Sequence, residues 1–248
     1  MKIKAEDYRS FLMLAFFEPF LYFIGESYGL RFISSTMCAI IVSTIPLFSP
    51  LAASHFHGEI LSPRNLIGII LSFLGVGIVV FDSSFNLIAS PIGISLEFLA
   101  VASAIGYQVV LKNLTKKYNA PTIIGYQNFI AFFYFLPLWL IFEYTDFIHT
   151  PFDGTAFTAI VKLALFSSSL AFVLYTYGIK NIGINNTNIF INLIPVLTAI
   201  FAWFILGDPL TVRKFVGIFV VISGLLIAQV KMKEITAKIF STRQNGGR

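Results

Sequence analysis

The chain is poor in charge. Only 12% of its 248 residues are Asp, Glu, Lys or Arg, against about a quarter in soluble domains. It has one cysteine, Cys38, so no disulfide forms within it, and a small apolar filler is the ordinary role of such a residue. Three histidines, His55, His57 and His149, share no metal-ligand spacing with Cys38 or the acids, so no metal is expected. A phosphate-cradling glycine loop and a nucleophile elbow are both missing. No compact set of acid, base and nucleophile stands at one depth, which argues against an enzyme, and no cofactor is implied. Met1-Lys-Ile-Lys leads into no small-residue cleavage site, so it is not read as a signal peptide.

What the chain has is apolar surface. It is 57% hydrophobic and 16% aromatic, with a mean hydropathy of +0.84. A water-soluble fold of this length cannot hide that much apolar area. The solvent is therefore mostly lipid, which leaves helices or a closed barrel. The apolar runs are long and continuous, without dyad alternation, so they read as helices. Eight spans are expected, near 10–31, 35–55, 66–82, 93–111, 122–142, 157–179, 186–206 and 214–230. The fold class is all-α, a polytopic membrane bundle.

An even number of spans puts both termini on one side. That side carries Lys2, Lys4, Arg9, Arg64, Lys112, Lys116, Lys117, Lys180 and the basic tail at 231–248. The other carries mostly acids, among them Asp82, Glu143, Asp146, Asp153 and Asp208. Positive charge collects on cytoplasmic loops, so both termini are expected in the cytoplasm. The net charge of +5 is then an orientation signal, not a nucleic-acid footprint. Lys162, at a span end, is read as snorkelling to the interface.

Sliding the sequence against itself by 149 positions aligns "YGLRFISSTMCAIIVSTIPLF" from Tyr28 with "YGIKNIGINNTNIFINLIPVL" from Tyr177. It also aligns "GEILSPRNLIGIILSFLGVGI" from Gly58 with "GDPLTVRKFVGIFVVISGLLI" from Gly207. Pro46 meets Pro195, Arg64 meets Arg213, Gly68 meets Gly217 and Gly75 meets Gly224. A chance match of apolar segments would not put prolines, arginines and glycines in register. The two copies sit oppositely in the expected topology, which makes this an inverted repeat, a signature of secondary transporters. Residues 1–82 hold three spans of a first repeat and residues 93–230 hold five of a second. Inversion symmetry wants ten spans, so the chain reads as a truncated or late-started form, with a genuine eight-span variant as the alternative.

These residues resemble the EamA family of the drug/metabolite transporter superfamily. The resemblance is carried by "TIPLF…HGEILSPRNLIGIILSFLGVGI", by "LIPVL…LGDPLTVRKFVGIFVVISGLLI", and by the opening of the second unit, "GISLEFLAVASAIGYQVVLKNLTKKYN". It spans roughly residues 10–230. Gly207-Asp208 stands where Gly-Glu is more usual. The resemblance implies a permease of the cell membrane that moves small metabolites, amino-acid-like or drug-like, often by export. It implies a central cavity opening alternately to either side. A non-transporting membrane partner or an inactive fragment is the alternative. Lipid and a small-molecule substrate are the expected partners. Proton coupling and a homodimer are left open.

Polar residues inside the greasy runs mark the candidate pathway. On a helix Glu18, Tyr22 and Glu26 form one stripe, at i, i+4 and i+8, with Ala15, Gly25 and Gly29 beside it and Phe16, Phe20, Phe23 and Leu30 opposite. Small and polar residues suggest an inward or wet face, and the phenylalanines a lipid face. Carboxyls in a span are costly, at about 2.5–3.5 kcal/mol each on insertion scales, so both glutamates are expected to line the pathway as substrate contacts or proton carriers. Hydrogen bonding to neighbouring helices is the plainer reading.

The repeat-mates of Glu18 and Glu26 are Ser167 and Tyr175, which puts polar groups at matched depths in both halves. Asn192, in the stripe Asn188, Asn192, Pro195 and Ala199, completes the candidate set. Pro19, Pro46 and Pro195 are expected to kink their helices. Tyr107 and Gln108, and Tyr126, Gln127 and Asn128, offer further groups, with an interfacial belt as the alternative. Gly68, Gly75, Gly217 and Gly224 read as close helix-packing points.

Overall fold

A computed structural model describes residues 3–57, 63–81, 89–209 and 211–229. The basic tail and Asp82 lie outside the described residues. Among the described residues, helical structure falls into eight elements in chain order. These are α1 (Ala5–Gly29), α2 (Ser35–Phe56), α3 (Pro63–Val80), α4 (Pro91–Leu114), α5 (Ala120–His149), α6 (from Gly154, ending in the piece Phe172–Asn188), α7 (Ile194–Leu206) and α8 (Val212–Gln229). Five of them, α1, α2, α4, α5 and α6, run 22 to 30 residues and are apolar enough to cross a bilayer. At 1.5 Å per residue, 22 residues reach about 33 Å, enough for a hydrocarbon core of about 30 Å.

The punctuation in the sequence does local work. Ser34 caps α2 by accepting from the Met37 amide at 3.4 Å. Asn119 caps α5, accepting from the Thr122 amide at 2.9 Å, and Asp153 caps α6, accepting from the Thr155 amide at 2.8 Å. Each occupies one of the amides a helix start leaves unpaired. Gly207 ends α7 in the left-handed region, at φ +68°, where a Cβ would be strained. Two boundaries differ from expectation. Helix α5 runs on past 142, because no proline or glycine stops it before Pro151. Helix α6 runs through 186–188 and passes into α7 by a single turn, Ile189–Leu193.

Helices α3 and α8 form the largest helix–helix contact among the described residues. The Ser72 hydroxyl donates to the Val221 carbonyl at 3.1 Å, and these two residues are repeat-mates, 149 apart. A Cβ on Gly75 would lie 3.0 Å from the Gly217 carbonyl, and one on Gly224 would lie 2.7 Å from the Gly68 carbonyl. Gly68 thus faces Gly224, Ser72 faces Val221, and Gly75 faces Gly217. As one index rises the other falls, so the helices run antiparallel. Equivalent helices of a repeat can meet antiparallel and reciprocally only about a two-fold axis across them. The internal repeat is therefore inverted in space.

Helix α1 packs along α4 and α5. Its phenylalanine side is not simply a lipid face: Phe20 lies 5.4 Å from Tyr134 and 5.1 Å from Phe135 on α5, and Phe23 lies 6.5 Å from Phe172 on α6. The contacts with Phe135 and Phe172 are edge-on and the one with Tyr134 is tilted, all within the favoured range for ring pairs. The start of α1 is pinned to the α4–α5 loop. The Asp7 carboxylate accepts from Lys117 Nζ and from the Tyr118 hydroxyl, both at 2.7 Å, and the Lys4 amide donates to the Tyr118 oxygen at 3.0 Å. The Asp7 carboxylate holds the Lys117 ammonium above its ordinary value.

Candidate functional site

A cavity of about 270 Å³ lies between the repeats. Its wall takes Glu18 and Tyr22 from α1, Val42 and Ile45 from α2, Ala104 and Gln108 from α4, Ala171, Phe172 and Tyr175 from α6, and Ile191 and Ile194 at the entry to α7. The lining is apolar and aromatic with one carboxyl, one amide and two phenols. Among the described residues it contains no lysine, arginine or histidine.

Glu18 owes its place to a break in α1. Its backbone is extended, at φ −143° and ψ 123°, inside an otherwise helical run. Pro19 has no amide to donate, so the helical ladder is interrupted there. The Phe17 carbonyl accepts from the Tyr22 amide across the break and also from the Ser103 hydroxyl of α4, at 2.5 Å. A neighbouring helix thus braces the backbone beside Glu18. Glu18 is buried.

The other proline pair behaves alike. α-Helix geometry in α2 lapses at Ser43–Thr44, just before Pro46, and a 3₁₀ turn at Ile189–Leu193 precedes Pro195. Ser43 and Thr44 turn their hydroxyls back to the Ile40 and Ile41 carbonyls, at 2.7 and 2.6 Å.

The candidate residues separate. Glu18, Tyr22 and Tyr175 come together on the cavity wall. Glu26 is half-buried one turn beyond and accepts from the Tyr22 hydroxyl at 3.1 Å. Ser167 does not join them. It is exposed, because Leu163–Ala171 is a π-helical stretch, whose wider turn rotates Ser167 away from where a 3.6-residue period places it. Ala171 and Phe172 take the wall instead. The Asn192 side chain lies outside the described residues, though its neighbours Ile191 and Ile194 reach the cavity.

Several polar groups that the sequence left between pathway and interface prove to be interior. Gln108 accepts from the Ser49 hydroxyl at 2.6 Å. Asn188 donates to Gln108 at 3.3 Å and to Ser49 at 3.4 Å, and accepts from the Tyr175 hydroxyl at 2.9 Å. This network ties α2, α4 and α6 together beside the cavity. Tyr107 and Gln127 are fully buried with Thr176. Glu97 on α4, not singled out in the sequence, is also fully buried. Its signal was available: a carboxyl in mid-run, like Glu18. Among the described residues no group of His, Cys, Asp and Glu is arranged to hold a metal ion.

Comparison with known proteins agrees with this architecture. A Bacillus subtilis strain 168 protein named "Uncharacterized transporter YetK" is 27% identical over 90% of this chain and 68% of its own length. An "Uncharacterized transporter" of Archaeoglobus fulgidus is 27% identical over 91% of this chain and 79% of its own. A crystal structure superposes with a TM-score of 0.65 over 93% of this chain and 80% of that one, at 15% identity, which speaks for the fold. The profile of the EamA-like transporter family matches residues 1–81 and 91–229. A polytopic helical bundle with an inverted repeat, matched by that profile along most of its length, belongs to the EamA-like transporter family.

Proposed function

We propose that the chain moves a small organic solute across the cell membrane by alternating access at the cavity between its repeats. The observation that carries this reading is the shared wall: Glu18 and Tyr22 come from one repeat, Gln108 and Tyr175 from the other. A site built by both halves exposes its contents when the halves move against each other. Its about 270 Å³ suits a metabolite near the lower end of ordinary ligand pockets, about 300 Å³. A single carboxyl among aromatic walls, with no base beside it among the described residues, favours a solute bearing a protonated amine, such as an amino-acid-like or cationic drug-like compound. Export is the direction the family resemblance implies. The clustering of Arg9, Lys112, Lys116 and Lys117 toward one end supports cytoplasmic termini.

The test is flux. Liposomes carrying the purified chain are assayed against a panel of amino acids, nucleosides and organic cations. Transport of at least one amine is expected, falling about tenfold or more in Glu18→Gln as a charged contact is lost. Unchanged flux in that variant removes Glu18 from the pathway.

One observation favours a second reading, a membrane partner that does not transport alone. The most apolar stretch of α6 has no buried residue, whereas a third of its repeat-mate on α1 is buried. Helices α4 and α5 cover α1, and no equivalent pair covers α6 among the described residues. Absence of flux for every compound on the panel would favour it.

A further inference from the structure

Glu97 lies on the first half of α4, outside both the cavity wall and the α1 stripe. It is 0% exposed, and neither carboxyl oxygen meets an N–H or O–H donor among the described residues. Its surroundings are set by a glycine seam between α1 and α4. A Cβ on Gly29 would collide with the carboxyl itself. One turn back, a Cβ on Gly25 would lie 2.6 Å from the Leu96 carbonyl and 3.1 Å from the Ala100 amide. From the α4 side, a Cβ on Gly93 would lie 2.8 Å from Phe32 and from Ile33. The titratable groups that face Glu97 are the Cys38 thiol of α2, directly beside it, and Glu26 of α1, close enough for its charge to act on both. Glu26 in turn holds the Tyr22 hydroxyl. No cation is among these neighbours.

This packing accommodates the carboxylic acid and not the carboxylate. An ion with no strong donor, no counter-ion and a second carboxyl nearby would bear its full desolvation cost. A thiol is too weak a donor to offset it. Ionisation therefore requires water to reach Glu97, and the glycine contacts leave no room for water while the seam is shut.

We propose that Glu97 is a proton-binding site coupled to the α1–α4 seam, closed when the carboxyl holds its proton and open when it does not. On opening, the O–H bond of the acid breaks and the proton passes to entering water, leaving a hydrated carboxylate. On closing, the reverse occurs. Linkage makes the coupling reciprocal: whatever favours the open seam releases the proton, and proton release favours the open seam. The use of such a site, to draw on a proton gradient, rests on the permease reading. The site itself does not.

Cys38, the chain's single cysteine, is 5% exposed and reports on the seam without an engineered background. The whole chain in lipid nanodiscs is alkylated with N-ethylmaleimide across mildly acidic to mildly alkaline buffers and followed by intact mass. The wild-type rate divided by that of Glu97→Gln is expected to rise with pH, up to about tenfold per pH unit for one coupled proton. Glu26→Gln is expected to keep that rise. A flat ratio overturns the proposal, as does a rise abolished in Glu26→Gln and kept in Glu97→Gln. If Glu97→Gln does not fold, wild-type Cys38 is compared with N-acetylcysteine, whose rate follows its thiolate fraction alone. A steeper Cys38 profile supports the proposal and a parallel one overturns it. No solute enters this measurement. A flat ratio therefore leaves the permease reading standing, and absent flux with a rising ratio leaves the proton site standing.

Discussion

The Tyr175 hydroxyl donates to Asn188 Oδ1 at 2.9 Å, which joins a cavity-wall residue to the network that binds α2, α4 and α6. Because Asn188 also donates to Ser49 and Gln108, removing either partner disturbs the same set of bonds. Tyr175→Phe and Asn188→Ala should each lower unfolding stability by about 1 kcal/mol. The double variant should lose less than the sum, with a coupling of about 0.5–1.5 kcal/mol, the ordinary net worth of one hydrogen bond. Denaturant titration of the four proteins checks this, and strict additivity would mean the bond contributes nothing.

The α3–α8 seam tolerates loss of a hydroxyl better than gain of a side chain. Ser72→Ala removes one interhelical bond, worth about 0.6 kcal/mol. Gly224→Leu drives carbon into Ser72 and the Gly68 carbonyl, and overpacking of this kind costs about 1–3 kcal/mol. Thermal unfolding followed by intrinsic fluorescence should rank Gly224→Leu well below Ser72→Ala, with wild type highest.

The contact at the start of α1 should fail at high pH. The Lys117 ammonium is held above its ordinary value of 10.5 by Asp7. A group raised in this way contributes stability that is fully present below its unfolded value and is lost as pH climbs through the higher folded one. Proteolysis near the amino terminus should therefore be slow at neutral pH and rise only above the ordinary lysine value of 10.5. In Lys117→Met it should already be fast at neutral pH.

Filling the cavity should separate binding from folding. Ala171 lines the wall yet is exposed on its other side, so Ala171→Trp can extend into the space without displacing core. Its unfolding midpoint should stay near that of wild type. Any stabilisation that a transported amine gives the wild type should disappear, since ligand stabilisation vanishes with binding.

The helices were legible because most apolar runs are close to membrane length, those of α3 and α7 being shorter among the described residues, and the repeat because Pro46, Gly68 and Gly75 recur in register as Pro195, Gly217 and Gly224. Glu18, Tyr22 and Tyr175 stood out because polar groups in a greasy run have few tolerable places, and all three line the cavity; that they serve a pathway is the proposal. Ser167 was misplaced because a π-helical stretch shifts register by an amount that no residue type in "LFSSSLAF" announces. Phe20 and Phe23 read as lipid-facing because a side-chain period gives a direction but not what stands there. Glu97 was passed over within a segment that served to carry the family resemblance, although the cost argument applied to Glu18 applied equally to it.

Ser72 and Val221 lie on the two-fold axis that relates α3 to α8. That operation turns the Gly68–Gly224 contact into Gly75–Gly217 but returns Ser72–Val221 to itself. In the alternating access proposed above, these two helices would be the fulcrum for the cavity wall and the α1–α4 glycines.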